Sequence, residues 1–309
     1  MTHFIIRRIK ELIILFKYYN FSTFRKNKKQ LFVAFFDNKR NTFGLTDRLK
    51  GAISLYAFSK IKNAPYKLVF TYPFDLSLFF MPNQYEWLAN ENEISNYVLD
   101  TKLLIVQGEN GKRLLNSKTK KQLHVYINRD YLPLLNETFN TNFEWRELFY
   151  ELFKPTEKLN AQINYHLSRI NSDYIACVFR FQALIGDFKE YNFPILPSGE
   201  QQDLIKTCTE VLCSLRAKHN LPILVTSDSF TFLSHISELD NIFIIPGEIV
   251  HIDCTYNAAE DVYMKSFIDF MMCSKASKIY NIVTGQMYSS EFPLYAAKVN
   301  NVPFERIII

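Results

Sequence analysis

Glycine is scarce in this chain, with 8 residues among 309, and cysteine is scarcer still at 5. Neither a P-loop nor a G-x-G-x-x-G fingerprint is present. Each glycine that remains is expected to answer a backbone need. The cysteines (Cys177, Cys208, Cys213, Cys254 and Cys273) are odd in number and form no C-x-x-C pair. They read as reduced core thiols of a cytoplasmic protein, not as a disulfide framework. The histidines are scattered without H-E-x-x-H or similar spacing, so no structural or catalytic metal is expected. Long apolar runs are missing too. Near the N-terminus the longest, Leu12 to Phe16, falls far short of the ~20 residues that span a bilayer, and no small-residue cleavage site follows it. The sequons at Asn20 and Asn136 therefore carry no expectation of glycosylation.

Basic charge is confined to one place. The net charge is +5, but residues 1–29 hold Arg7, Arg8, Lys10, Lys17, Arg25, Lys26, Lys28 and Lys29 against Glu11 alone. That is a local +7, so the remainder is close to −2, and no nucleic-acid partner is expected. The same segment puts Ile5, Ile9, Leu12, Ile13, Phe16 and Tyr19 on one helical face. Two readings stay open for residues 4–29. One is peripheral contact with the inner membrane surface through a basic amphipathic helix; the other is a first helix packed on its own domain.

Apolar residues are plentiful, at 48% hydrophobic, 16% aromatic and 22% charged, which describes a globular chain. Its length suits two domains of about 150 residues each. Strand and helix patterns alternate, the mark of layered α/β architecture. Strands are expected at 31–37, 66–72, 102–108 and 122–128, followed by a helical, aromatic stretch over 132–170. The second half continues strand 174–180, helix 200–219, strand 222–228, helix 229–237, strand 242–247, helix 260–274, strand 278–283 and helix 290–299. Strand ends at Arg180, Asp228, Gly247 and Thr284 would then share the carboxyl edge of one parallel sheet, where such folds bind ligands. The expected domains are a basic segment 1–30, an α/β domain 31–165 and a second α/β domain 166–309.

Several residues along that edge carry chemistry. "DYIACVFRFQALIGDF" ends an apolar strand in a lone Arg180, a charge that costs several kcal/mol to bury unpaired, and Asp187 follows one loop later. "TGQMYSSEFPLYAA" sets Ser289 and Ser290 before an apolar helix, as an anion site or a plain N-cap. In "VTSDS" Asp228 and Ser229 could read a guanine edge or a ribose hydroxyl, or cap the next helix. Asp269 lies in an apolar helix beside Phe267, Ile268, Phe270 and Met271 and needs a partner, for which a nucleobase or an arginine would serve. In "NTFGLTDRLKGA", Gly44 could admit a diphosphate to the backbone, while Thr46 or Asp47 could simply cap the helix.

Together, "VFR" (178–180), "TSD" (226–228), "FIDFMMCSKAS" (267–277) and "YSSEFPLYAA" (288–297) resemble the motifs of the fucosyltransferase superfamily that includes α1,6-, protein-O- and bacterial nodulation fucosyltransferases. "GLTDRLKGAISLYAFSK" resembles its loop-helix near the donor phosphates. The resemblance implies two Rossmann-like domains of GT-B type with a donor cleft between them. It also implies inverting, metal-independent transfer of fucose from GDP-fucose to a surface-glycan or lipid-linked oligosaccharide acceptor. Carried over, Arg180 would hold the β-phosphate as GDP leaves. Ser289, Ser290 and Gly44, with Asp47 and Arg48 of the loop-helix, would lie at the donor phosphates, and Asp228, Ser229 and Asp269 would recognise guanosine. The base would be Asp187, with Glu190 as alternate. Val178 stands where the family has histidine. The alternatives are transfer from another nucleotide sugar, or a non-catalytic nucleotide-sugar-binding homologue.

Overall fold

The computed structural model describes residues 29–40, 44–108, 110–118, 121–187, 194–250 and 260–309, together with positions 13, 18, 19 and 21. Most of the N-terminal helical face, Glu190 and Cys254 lie outside the described residues. The chain divides into two compact units, residues 1–76 with 81–154 and residues 77–80 with 155–309.

The first unit contains β1 (Leu31–Phe36), α1 (Leu45–Ile61), β2 (Tyr66–Phe70), β3 (Thr101–Val106), α2 (Gly111–Leu115), β4 (Gln122–Ile127), α3 (Leu132–Phe139) and α4 (Trp145–Leu152). Its sheet is parallel throughout, in the order β2-β1-β4-β3. β1 is buried along its whole length, as expected of a parallel strand covered on both faces. Leu31, Val33 and Phe35 point to one face, where they pack with Tyr18, Leu103, Ile105 and Tyr126. On the other side Phe32 meets Phe58 of α1, ring centroids 5.7 Å apart. α1 is buried almost all round, from Leu45 to Ser59, so its helical spacing shows no polar face to solvent. Tyr18 is 4% exposed and Ile13, expected on the apolar face, is 49% exposed.

The second unit contains α5 (Glu157–Ile170), β5 (Ile175–Phe179), α6 (Ser198–His219), β6 (Ile223–Ser227), α7 (Phe230–Ile236), β7 (Ile242–Ile244), α8 (Glu260–Cys273), β8 (Lys278–Val283), α9 (Phe292–Asn300) and β9 (Phe304–Ile308). The sheet order is β9-β8-β5-β6-β7, again all parallel. Ile175, Cys177, Phe179, Ile223, Val225 and Ile282 form one core layer with Leu212 and Leu215 of α6 and Phe232 and Ile236 of α7. Burying each such side chain contributes about 1.5–3 kcal/mol. The alternate residues Val178 and Thr226 are lateral partners on the opposite face, which α8 approaches through Asp269. β9 was not among the expected strands; it pairs with β8 as an edge, Ile279 beside Phe304.

The helical stretch expected over 132–170 is three helices, broken at Asn140 and again at Phe153–Pro155. Helix ends follow a common device. Asn140, Asn171, Asn220 and Asn301 each terminate a helix in the left-handed region, with φ of 51°, 50°, 48° and 54°. Asparagine thus takes the C-terminal position for which glycine is the usual choice, and the scarcity of glycine is matched by this substitution.

Candidate active site

The centre of the second sheet delivers its functional side chains by register alone. β5 lies between β8 and β6, so the chain beyond Phe179, beyond Ser227 and beyond Val283 emerges on one carboxyl edge. Arg180 is the first residue past β5. Its side chain is 19% exposed, and its Nη1 sits 2.9 Å from Asp228 Oδ2, whose side chain is 5% exposed. The same carboxylate receives the Phe181 N–H on Oδ1 at 2.7 Å and the Gln182 N–H on Oδ2 at 2.7 Å. Burial pushes the Asp228 carboxyl above its usual range, against the opposing pull of Arg180 and the two amides.

A second tie joins the same two loops in the reverse direction. Asp187, exposed at the far end of the loop, accepts Ser229 Oγ–H at 2.8 Å and the Thr231 N–H at 2.6 Å, both on Oδ2. Ser229 Oγ in turn accepts the Phe232 N–H at 3.0 Å and caps α7. Among the described residues Asp187 Oδ1 has no hydrogen-bond partner, and Oδ2 belongs to the helix start.

The third strand end folds back towards the first. After β8, Gly285 turns the chain with φ of 54°, and the Tyr288 N–H donates to the Arg180 carbonyl at 3.3 Å. This brings the Ser289–Ser290 turn beside the end of β5. Ser289 is exposed, while Ser290 is buried and its Oγ accepts the Phe292 N–H at 3.2 Å. Asp269 lies deeper, 6% exposed. Its Oδ2 accepts Lys265 Nζ at 2.7 Å and Thr226 Oγ1–H at 2.8 Å. Asp269 Oδ1 is buried and, among the described residues, has no hydrogen-bond partner.

In the first unit, Gly44 is the N-cap residue of α1, and among the described residues no side chain caps that helix. A Cβ at Gly44 would meet nothing within 4 Å. Asp47 pairs with Lys50 at 2.6 Å, one turn on. Arg48 is 2% exposed, donates from Nη1 to the Tyr72 carbonyl and lies over the Phe70 ring, 5.1 Å from its centroid. Its guanidinium is therefore an interior group here.

No family model and no curated protein matches the sequence. Solved structures do. A variant of FUT1 from Arabidopsis thaliana in complex with GDP matches with a TM-score of 0.57, covering 97% of this chain and 74% of that one at 13% identity. The NodZ alpha-1,6-fucosyltransferase co-crystallised with GDP matches with a TM-score of 0.54, covering 87% and 92% at 13% identity. The same enzyme soaked with GDP-fucose gives 0.55, covering 88% and 93% at 12% identity. The chain has the fold of these fucosyltransferases.

Within that fucosyltransferase fold, Asn281 and Lys265, both passed over in the sequence, organise the site residues together with Gly247. Asn281, fully buried in the apolar β8, donates Nδ2–H to the Ser290 carbonyl at 2.9 Å and fixes the serine turn. An asparagine inside "KIYNIV" was the available signal, because a buried amide needs partners. Lys265 stands four residues before Asp269, the spacing that pairs side chains on one helix face, and it supplies the cation that Asp269 needed. Gly247, at φ of 136°, packs against that lysine: a Cβ there would lie 3.2 Å from Lys265 Cβ. Gly51, in α1, has a different reason. A Cβ on it would stand 2.3 Å from the Ile127 carbonyl oxygen, so glycine lets α1 lie directly on the end of β4.

Proposed function

We propose that the protein is an inverting glycosyltransferase that transfers fucose from GDP-fucose to a surface-glycan or lipid-linked oligosaccharide, with Arg180 as the cation at the leaving group. The observation that carries this reading is the placement of Arg180. It is held by Asp228 at the carboxyl edge of a parallel sheet, beside the Ser289–Ser290 turn. The fold is shared with enzymes solved with GDP and GDP-fucose, which supports a nucleoside diphosphate as the group met there.

The chemistry follows from where charge develops. Fucosyl transfer breaks the bond between the sugar's anomeric carbon and the β-phosphate oxygen, leaving positive charge on the sugar and an extra negative charge on GDP. A fixed guanidinium at the diphosphate stabilises that charge as it appears. The acceptor hydroxyl attacks from the opposite face, which inverts the anomeric centre, and its proton passes to a base. Asp187 is the proposed base, acting through Oδ1, the oxygen outside the helix cap; Glu190 is the alternate. Ser289 and Ser290 are the proposed phosphate contacts, and Ser229 and Asp269 the proposed guanosine contacts. A second reading, binding of a sugar nucleotide without transfer, rests on Val178 in the histidine position and on the capping duty of Asp187.

The test is a thermal-shift comparison of GDP, UDP and CMP followed by transfer and donor-hydrolysis assays with GDP-fucose. GDP is expected to raise the melting temperature most, and Arg180→Ala to lower turnover on the order of 100-fold. A preference for UDP refutes the fucosyl donor. Equal turnover in wild type and Arg180→Ala refutes the mechanism.

A further inference from the structure

The carboxylate of Asp228 has little capacity left for a ligand. A carboxylate offers about four acceptor positions, and three are filled by Arg180 Nη1, the Phe181 amide and the Gln182 amide at 2.9, 2.7 and 2.7 Å. The residue is 6% exposed. Those three donors are consecutive in the chain, so one side chain just past β6 fixes both the guanidinium and the backbone that leaves β5. That backbone is unusual at one point: Gln182 is left-handed, with φ of 54°, a conformation that disfavours a long side chain and persists where its surroundings enforce it. The reverse tie, from Asp187 to Ser229 and Thr231, fastens the other end of the same loop to the start of α7.

Resting on the proposed function, we propose that Asp228 is a positioning residue: it aims Arg180 and the 181–182 backbone at the carboxyl edge, and does not read guanosine. An arginine has many rotamers, and a diphosphate leaving group must meet its guanidinium within a fraction of an ångström for the charge to be matched in the transition state. A displacement of about 1 Å can cost on the order of 100-fold in rate. Losing the anchor should therefore act on turnover and leave recognition of the base alone.

The two roles separate experimentally. The full chain is purified as wild type, Asp228→Asn, Asp228→Glu, Arg180→Lys and the Asp228→Asn/Arg180→Lys double variant. Transfer from GDP-fucose is measured as kcat and KM, and the affinities of GDP and IDP by calorimetry. IDP lacks the exocyclic amine that an acceptor carboxylate would bind. The expected result is a fall in kcat on the order of 100-fold for Asp228→Asn, an unchanged GDP-to-IDP affinity ratio, partial rescue by Asp228→Glu, and a double variant no slower than Arg180→Lys alone. A collapse of the GDP-to-IDP ratio in Asp228→Asn overturns the inference in favour of base reading. Losses that multiply in the double variant overturn it as well, because the two residues then act independently. If Asp228→Asn does not fold by circular dichroism, Asp228→Glu and Arg180→Lys are compared by the same ratio and cycle. A wild-type chain that binds no nucleoside diphosphate refutes the proposed function itself, and the inference falls with it.

Discussion

Replacing Gly51 with alanine sets two physical effects of opposite sign against each other. Gly51 lies inside α1, and on helix propensity alone Gly→Ala should stabilise by about 1 kcal/mol. The close approach to β4 predicts the reverse. The new Cβ would sit 2.3 Å from Ile127 O, 2.6 Å from Ile127 C and 3.1 Å from Asn128 N, all backbone atoms with no side-chain torsion to relieve them. Helix and strand would have to part by about an ångström, through a core in which Phe32, Phe58, Leu49 and Ile53 are essentially inaccessible to solvent. Overpacking of this kind costs about 1–3 kcal/mol and sometimes more, and here it falls on backbone. We expect a net loss of about 2 kcal/mol, a fall of roughly 4–8 °C in melting temperature for a unit of this size. Gly199→Ala is the matched control. It too is helical, in the first turn of α6, but a Cβ there meets nothing within 4 Å, so stability should hold or rise slightly. Urea denaturation followed by circular dichroism reads both variants. A Gly51→Ala protein as stable as wild type refutes the close-approach argument, and equal losses in both variants would show that sterics is not the cause.

Protonation gives a second prediction. His124 is fully buried, accepts the Tyr18 hydroxyl on Nδ1 and bonds Gln122 Oε1 through Nε2 at 2.8 Å, and burial pushes its pKa down to about 3. The unfolded imidazole takes its proton near pH 6.5, so this histidine's contribution is intact above that pH and is lost at about 1.4 kcal/mol per unit as pH falls towards 3. Between pH 7.5 and 5 the urea midpoint of wild type should therefore drop more than that of His124→Gln, by about 2 kcal/mol in stability; equal drops would dismiss the idea. Lys265→Met should destabilise by about 3–5 kcal/mol because Asp269 is left buried without its cation, and adding Asp269→Asn should recover much of it. A single variant within 0.5 kcal/mol of wild type would show that the pair contributes little. For residues 4–29, cosedimentation with anionic vesicles should fall when Arg7, Arg8 and Lys10 become glutamine, and undiminished binding would dispose of a membrane role for those charges.

What could be read from the sequence was whatever local pattern controls. β5, β6 and β8 announce themselves as short apolar runs, because strands of a parallel sheet are covered on both faces. Arg180 drew notice because a charge ends such a run. β9 escaped because an edge strand needs no apolar continuity: Glu305 and Arg306 are exposed while Phe304 and Ile307 are half-buried. The duty of Asp228 could not be read either. Nothing in "TSD" reveals that the strand beside it will present two amides and a guanidinium, since parallel neighbours are far apart in sequence. The close approach at Gly51 is equally a property of two elements and of neither alone. Lys265 and Asn281 went unread although each left a signal, one its four-residue spacing from Asp269 and the other an amide in an apolar strand.

The asparagines that end four helices bear on how this protein meets heat. A non-glycine residue held in the left-handed region costs on the order of 1 kcal/mol, and asparagine lightens that cost without removing it. α3, α5, α6 and α9 each carry one such residue, and no two share a helix. Heat tolerance in this chain is therefore limited in part at its joints, in a currency that core packing does not touch. Glycine at 140, 171, 220 and 301 would raise the ceiling by separate, additive steps, with the carboxyl edge and its arginine left as they are.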